Sequence, residues 1–222
     1  MRLLLIRHGQ TPDNVEGKLG TVAPGVGLTD LGRRQAEALP DALADESIGA
    51  LAVSTLVRTH LTAAPLAEAR GLTPTVLDGL REVRAGDLEG RSDTAAVTAY
   101  VGRVVSWAAG DLDARVPGSE DGHEFFARYD AALAELVAAG ERDGHQTVAA
   151  VSHGAAIRAW VGSRAVNADD EFIRQHLLEN TGVVTLEGTL ERGWRLRTWQ
   201  GLPVGGTELL DLDAPDPTGE SY

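Results

Sequence analysis

Leu3-Leu4-Leu5-Ile6-Arg7-His8-Gly9-Gln10-Thr11 decides how the rest of the chain is read. Four apolar residues stop abruptly on an arginine, a histidine and a glycine. A short buried strand that ends on a charged pair presents both side chains at the C-terminal edge of a sheet. In open α/β sheets that edge is where ligands bind. Gly9 lets the backbone turn tightly and lets a ligand approach it closely. Thr11-Pro12-Asp13-Asn14 then reads as a turn.

Outward from this strand the chain alternates. Asp30 to Leu39 reads as a helix capped by Thr29 or Asp30, and Pro40 predicts a kink or a break. Gly49 to Ser54 is a second buried strand. Arg58 to Arg70 is a helix ended by Gly71. Thr75-Val76-Leu77 is a short third strand. Thr147 to Ser152 is a fourth, with a helix from Ala155 to Val161 behind it. Val183 to Leu186 and Trp194 to Trp199 read as a closing pair around a turn between Gly188 and Gly193. Such alternation predicts an α/β fold: a three-layer α/β/α sandwich on a mostly parallel central sheet. Residues 83–122 break the rhythm. They are loop-rich, helical from Thr94 to Ala109, and read as an inserted cap-like segment over the C-terminal edge. Residues 1–202 thus form the expected single domain. Residues 203–222, rich in Gly, Pro and Asp, read as a tail without a core of its own.

Composition narrows the function. The 222 residues carry a formal net charge of −13, which argues against a nucleic-acid partner, since that needs a clustered basic footprint. Cysteine is absent, which removes disulfides and thiolate metal sites. The first apolar run is too short for a signal peptide and breaks at Arg7. No run approaches the roughly 20 residues of a membrane span. The expected location is therefore the cytoplasm, with no membrane partner. A homodimer is left open.

Three strand ends finish alike: Arg7-His8-Gly9, then Ser54 running into Thr55-Leu56-Val57-Arg58-Thr59, then Ser152-His153-Gly154. Parallel strands bring these ends to one edge, so that His8, His153, Arg7 and Arg58 converge there. Two histidines and two arginines in one crevice make an anion site, because guanidinium forks match phosphate oxygens. Arg58 and His153 also stand near expected helix N-termini, where free N–H groups favour an anion. Leu80-Arg81-Glu82 and Asp87-Leu88-Glu89-Gly90 offer carboxylates beside the same edge.

Arg7-His8-Gly9 with Gln10-Thr11 and Asn14 resembles the hallmark of the histidine phosphatase superfamily, the phosphoglycerate-mutase-like fold. Ser54 to Thr59, Leu80-Arg81-Glu82 and Ser152-His153-Gly154 resemble its further motifs in the family's order, over residues 1 to about 162. The resemblance implies a phosphoryl transfer through a phosphohistidine on His8. It implies that Arg7, Arg58 and His153 clamp the phosphoryl group. Asn14 adds a hydrogen bond to it. Glu82 is implied as general acid and then base, with Asp87 and Glu89 near enough to leave any assistance open. No metal and no cofactor are required.

The substrate is then a small phosphorylated metabolite, and hydrolysis of a phosphomonoester is the expected reaction. The alternatives are a phosphoglycerate mutase and a non-catalytic phospho-ligand binder. The mutase pattern places a substrate-binding arginine directly after the acidic residue, where this chain has Val83. Residues 83–122 also hold more acidic than basic side chains, which disfavours a substrate carboxylate there. A pure binder needs neither nucleophile nor acid. His60 reads as a rim residue, and His123, His145 and His176 lack a metal-ligand pattern. Gly118 to Gly122 reads as the cap of a helix start before Phe125. Tyr100, Trp107, Phe125 and Phe126 read as packing, with one or two of them lining the substrate cavity.

Overall fold

A computed structural model of the chain describes residues 1–189 and 191–219. Residue 190, in the turn expected between Gly188 and Gly193, and residues 220–222 of the tail lie outside the described residues. Strand β1 (Arg2–Arg7) leads to the single-turn helix α1 (Pro12–Val15), then α2 (Asp30–Glu37), α3 (Leu39–Ala42), β2 (Ile48–Val53), α4 (Val57–Arg70) and β3 (Thr75–Val76). Helices α5 (Thr94–Ala108) and α6 (Gly122–Arg142) follow. Next come β4 (Thr147–Ser152), α7 (Gly154–Arg164), α8 (Asp170–Gln175), β5 (Val183–Thr189) and β6 (Gly193–Gln200).

The six strands form one sheet in the order β3-β2-β4-β1-β5-β6. Strands β1, β2, β3 and β4 pair in parallel, and β5 runs antiparallel to both β1 and β6. The sheet is therefore mostly parallel, as the alternation predicts. Strand β1 is central, and Leu3 to Ile6 are wholly buried. Their side chains alternate between faces, as a strand requires. Leu3 and Leu5 join a core with residues of α5, α6 and α7, while Leu4 and Ile6 join a second core with residues of α3 and α4. Those two cores are the interfaces of the three layers.

Local chemistry sets most boundaries. Thr29 caps α2 by accepting from the Gly32 amide, and the break at Ala38 comes just before Pro40 in the first turn of α3. Gly71 ends α4 with a left-handed φ of 63°. Two expectations are revised. Thr11 to Asn14 is not a bare turn but the capped start of α1, because the Thr11 side chain meets the Asn14 amide and the Asn14 side chain returns the bond. Residues 122–142 form a 21-residue helix, of which only the start was expected; Asp121 caps it in a box with Glu124.

The loop after β1 is held against α2. The Gln10 carbonyl accepts from the Thr29 amide, and the Gln35 side chain accepts from the Gln10 amide. A Cβ on Gly32 would stand 2.1 Å from the Gln10 carbonyl oxygen. Alanine ordinarily improves a helix interior by about 0.5–1 kcal/mol over glycine. Here the two backbones would have to part, and such overpacking costs about 1–3 kcal/mol. Gly32→Ala is therefore expected to lower the urea midpoint of unfolding with an unchanged slope.

Candidate functional site

The C-terminal ends of β1, β2 and β4 meet around one cavity. Arg7 lies opposite Ser152 in the parallel ladder, so His8 and His153 follow side by side, with ring centroids 5.2 Å apart. Cavity walls come from His8, Thr11, Asp13, Asn14, Lys18, Gly20, Thr21, Arg58, Glu82, Tyr100, Pro217 and Thr218, among others. Of the residues expected here, His8, Asn14, Arg58 and Glu82 face the cavity. Arg7 and His153 stand behind its wall, both wholly buried.

His8 Nδ1 lies 2.8 Å from the Gly9 carbonyl oxygen. A carbonyl only accepts, so Nδ1 carries the hydrogen and Nε2 keeps the lone pair. Burial, with Arg58 and Arg7 nearby, holds the His8 pKa well below the ordinary imidazole value. His153 has the opposite tautomer. Its Nδ1 accepts from Arg58 Nε at 3.3 Å, so its Nε2 donates to Ser54 Oγ at 2.8 Å. Ser54 can then donate to Thr59 Oγ1, whose own hydrogen goes to the Leu56 carbonyl. Burial and Arg58 depress the His153 pKa as well.

Arg58, in the first turn of α4, is 3% exposed and donates through Nη2 to the Gly20 carbonyl at 3.0 Å. It makes no ion pair within 4.0 Å among the described residues. Burial lowers its pKa, against the pull of Glu82 and Asp13.

Glu82 is 4% exposed and sits at the N-terminus of α7. Its carboxylate accepts from the amides of Val83 and Ala156 at 2.8 Å and of Ala155 at 3.2 Å. Burial raises its pKa; the Val83 amide, Arg58 and the α7 amides oppose that rise without cancelling it. The other carboxylates of that loop are elsewhere. Glu89 receives the amides of Thr21 and Val22, and Asp87 abuts Gly118. Neither lines the cavity.

Tail residues reach the site. Asp216 pairs with Arg7 Nη2 at 2.5 Å and accepts from Asn14 Nδ2 at 3.0 Å. Arg7 also donates to Thr218 Oγ1 at 3.0 Å and to the Leu178 carbonyl at 2.7 Å. Both terminal nitrogens of Arg7 are thus occupied. The buried Arg158 of α7 faces the carbonyls of Thr218 and Gly219, and a Cβ on Gly154 would meet the Thr218 carbonyl at 2.8 Å. Sequence reasoning missed this contact, which joins residues 209 positions apart through a segment of loop composition. It also missed Asn180, whose Nδ2 holds the His8 carbonyl, and Thr62, whose Oγ1 accepts from the Gly9 amide.

Tyr100 lines the cavity, while Trp107 and Phe125 stack at 5.3 Å in the core. His60 is exposed. Among the described residues no group of three His, Asp or Glu side chains could hold a metal ion, and no helix is long and apolar enough to cross a membrane.

Two histidines and an arginine thus meet at this sheet edge, and comparison with known proteins gives the class. The model of the histidine phosphatase superfamily (branch 1) matches residues 3–201, and the chain belongs to that family. It is 37% identical over 218 residues to the PE-PGRS family protein PE_PGRS11 of Mycobacterium tuberculosis, covering 92% of this chain but only 37% of that protein's length. It is 33% identical to a glucosyl-3-phosphoglycerate phosphatase of the same species, over 71% of this chain and 72% of the relative. A probable phosphoglycerate mutase, GpmB of Salmonella choleraesuis, is 29% identical over 97% of this chain and 98% of the relative. Among solved structures, the mycobacterial glucosyl-3-phosphoglycerate phosphatase in complex with VO3 superposes with a TM-score of 0.74 at 30% identity. That match covers 90% of this chain and 98% of the other.

The ring assignments can be tested directly. Nitrogen-resolved NMR is expected to show His8 as the Nδ1–H and His153 as the Nε2–H tautomer. Because both pKa values are depressed, both rings are expected to stay neutral as pH falls through 6.5. A His8 ring that protonates at or above that value contradicts the burial argument.

Proposed function

We propose that this chain is a cytoplasmic phosphomonoesterase that passes the phosphoryl group of a small metabolite through His8. One observation carries the reading. A neutral imidazole with a free Nε2 lone pair and a carboxyl of raised pKa face one cavity, with Arg58 beside them. In the first step Nε2 attacks phosphorus, the P–O ester bond breaks, and Glu82 gives its proton to the departing oxygen. In the second, Glu82 takes a proton from water, the water oxygen attacks phosphorus, the P–N bond breaks and phosphate leaves. Arg58 neutralises the phosphoryl oxygens with Asn14 beside it, and His153, behind the wall, acts by holding the Arg58 Nε. Residues 1–202 supply the groups that react, and the tail closes the cavity through Pro217 and Thr218. The segment 83–122, through Tyr100, shapes the cavity for the alcohol part of the substrate. Phosphorylated sugar acids such as the one named for the phosphatase relative belong to this substrate class.

The mutase reading has a relative in its favour. Against it, Val83 follows the acid and is wholly buried, so no basic side chain enters the cavity at that point.

p-Nitrophenyl phosphate is expected to be hydrolysed in the presence of a chelator, and a phosphate label that is lost in acid is expected on the wild type but not on His8→Ala. Labelling that persists in the variant moves the nucleophile elsewhere. Dependence on a bisphosphorylated glycerate favours the mutase.

The tail enters this reading as a competitor. Arg7 reaches a phosphoryl group only by exchanging the Asp216 carboxylate for it. A charge-assisted contact is worth about 1.5–3 kcal/mol, and 1.4 kcal/mol is tenfold in affinity. Asp216→Ala is therefore expected to tighten inhibition by inorganic phosphate about tenfold. Weaker inhibition instead assigns Asp216 to holding Arg7 in place.

A further inference from the structure

Glu82 lies between two short 3-10 turns, Asp78–Leu80 and Gly86–Leu88, and the backbone carbonyls from residue 79 to residue 84 are all engaged by side chains. Arg128, on α6, takes three of them. Its Nη1 donates to Gly79 at 2.7 Å and to Arg81 at 2.9 Å, and its Nη2 donates to Glu82 at 2.9 Å. Glu120, just before α6, closes the fork: Oε2 accepts from Arg128 Nε at 2.8 Å and Oε1 from Nη2 at 2.6 Å. The same Oε1 accepts from the Arg84 amide at 3.0 Å. Ser152 Oγ holds the Leu80 carbonyl, and Tyr100 holds that of Val83. Glu120 is 3% exposed.

A planar guanidinium with five donors can bridge three carbonyls and a carboxylate at once, which an ammonium cannot. The pair therefore grips the backbone on both sides of Glu82, from residue 79 to residue 84. It makes no contact with the Glu82 carboxylate and does not line the cavity. Its reach to the chemistry runs through the placement of one backbone segment.

We propose that Glu120 and Arg128 are positioning residues for proton transfer: they fix the Glu82 backbone so that its carboxyl stands both against the α7 amides and within reach of the leaving oxygen. The proposal rests on the reading of Glu82 as general acid. Its consequence is selective. A displaced acid harms a substrate whose leaving group needs the proton and spares one whose leaving group does not.

The experiment compares phenyl phosphate with p-nitrophenyl phosphate in the wild type, Arg128→Lys, Glu120→Gln and Glu82→Gln. The quantity read is kcat/KM, which reports the bond-breaking step. Lysine keeps the charge against Glu120 but loses the fork; glutamine keeps an acceptor for the Arg84 amide. General acid help is typically worth about 10²–10⁴-fold. Arg128→Lys is expected to lose about tenfold to a hundredfold on phenyl phosphate and less than about threefold on p-nitrophenyl phosphate. Glu82→Gln is expected to show the same selectivity, enlarged. Equal losses on both substrates, a change confined to KM, or no loss overturns the proposal. Selectivity in Glu82→Gln but not in Arg128→Lys overturns it while leaving the role of Glu82 intact. Absence of selectivity in Glu82→Gln itself removes the acid and the proposal with it. If Arg128→Lys does not fold, since an imperfectly paired buried carboxylate is costly, Glu120→Gln is judged by the same criteria.

Discussion

The register of β1 on β4 is the constraint on which the site depends. Leu3 faces Val148, Leu5 faces Ala150 and Arg7 faces Ser152, so the residues that follow each strand become neighbours across the ladder. A slip of one residue would turn every side chain of β1 to the other face. Leu3 and Leu5 would exchange cores with Leu4 and Ile6. All four would stay buried, but in cores shaped around other side chains, and such misfit in a packed interior costs about 1–3 kcal/mol. The pairing of His8 with His153 is thus enforced by leucines that never touch a ligand.

The same logic explains what the sequence disclosed. Arg7-His8-Gly9 and Ser152-His153-Gly154 are legible because an apolar run that stops on polar residues marks where a buried strand surfaces. The break before Pro40 is legible because proline acts locally. Helix α6 has a helical period in Phe125, Tyr129, Ala132 and Leu136, all buried, so its length was in principle as readable as its start. Contacts made across long separations carry no local mark. Arg128 is 46 residues from Glu82, and Asp216 is 209 from Arg7. Thr181 adopts a φ of 57°, which a β-branched residue seldom does, and its amide reaches the Arg7 carbonyl. Tertiary structure imposes that conformation.

Net charge conceals the local field. The chain carries −13 overall, yet Arg7, Arg58, Arg128 and Arg158 crowd the end of the sheet. Two of them are already balanced, Arg7 by Asp216 and Arg128 by Glu120. Arg58 is not, and it is the one that faces the cavity. A buried guanidinium without a carboxylate partner is costly to keep and seeks an anion. On the proposed reading, the cation without a carboxylate partner stands at the cavity wall, where the phosphate of a substrate would balance it.

Burial acts in opposite senses on the two groups that meet there. It disfavours charge on both, so it lowers the pKa of His8 and raises that of Glu82. On the proposed reading these are the two forms the first step needs: an unprotonated imidazole and a protonated carboxyl. The second step needs the reverse at Glu82, a carboxylate able to accept a proton from water. Its three amide donors, two from the start of α7, await that anion before it forms. They restrain the rise in pKa that burial alone would produce, which keeps both protonation states within reach of one cycle. An acid buried without those amides would give up its proton with difficulty. One left in water would seldom hold it.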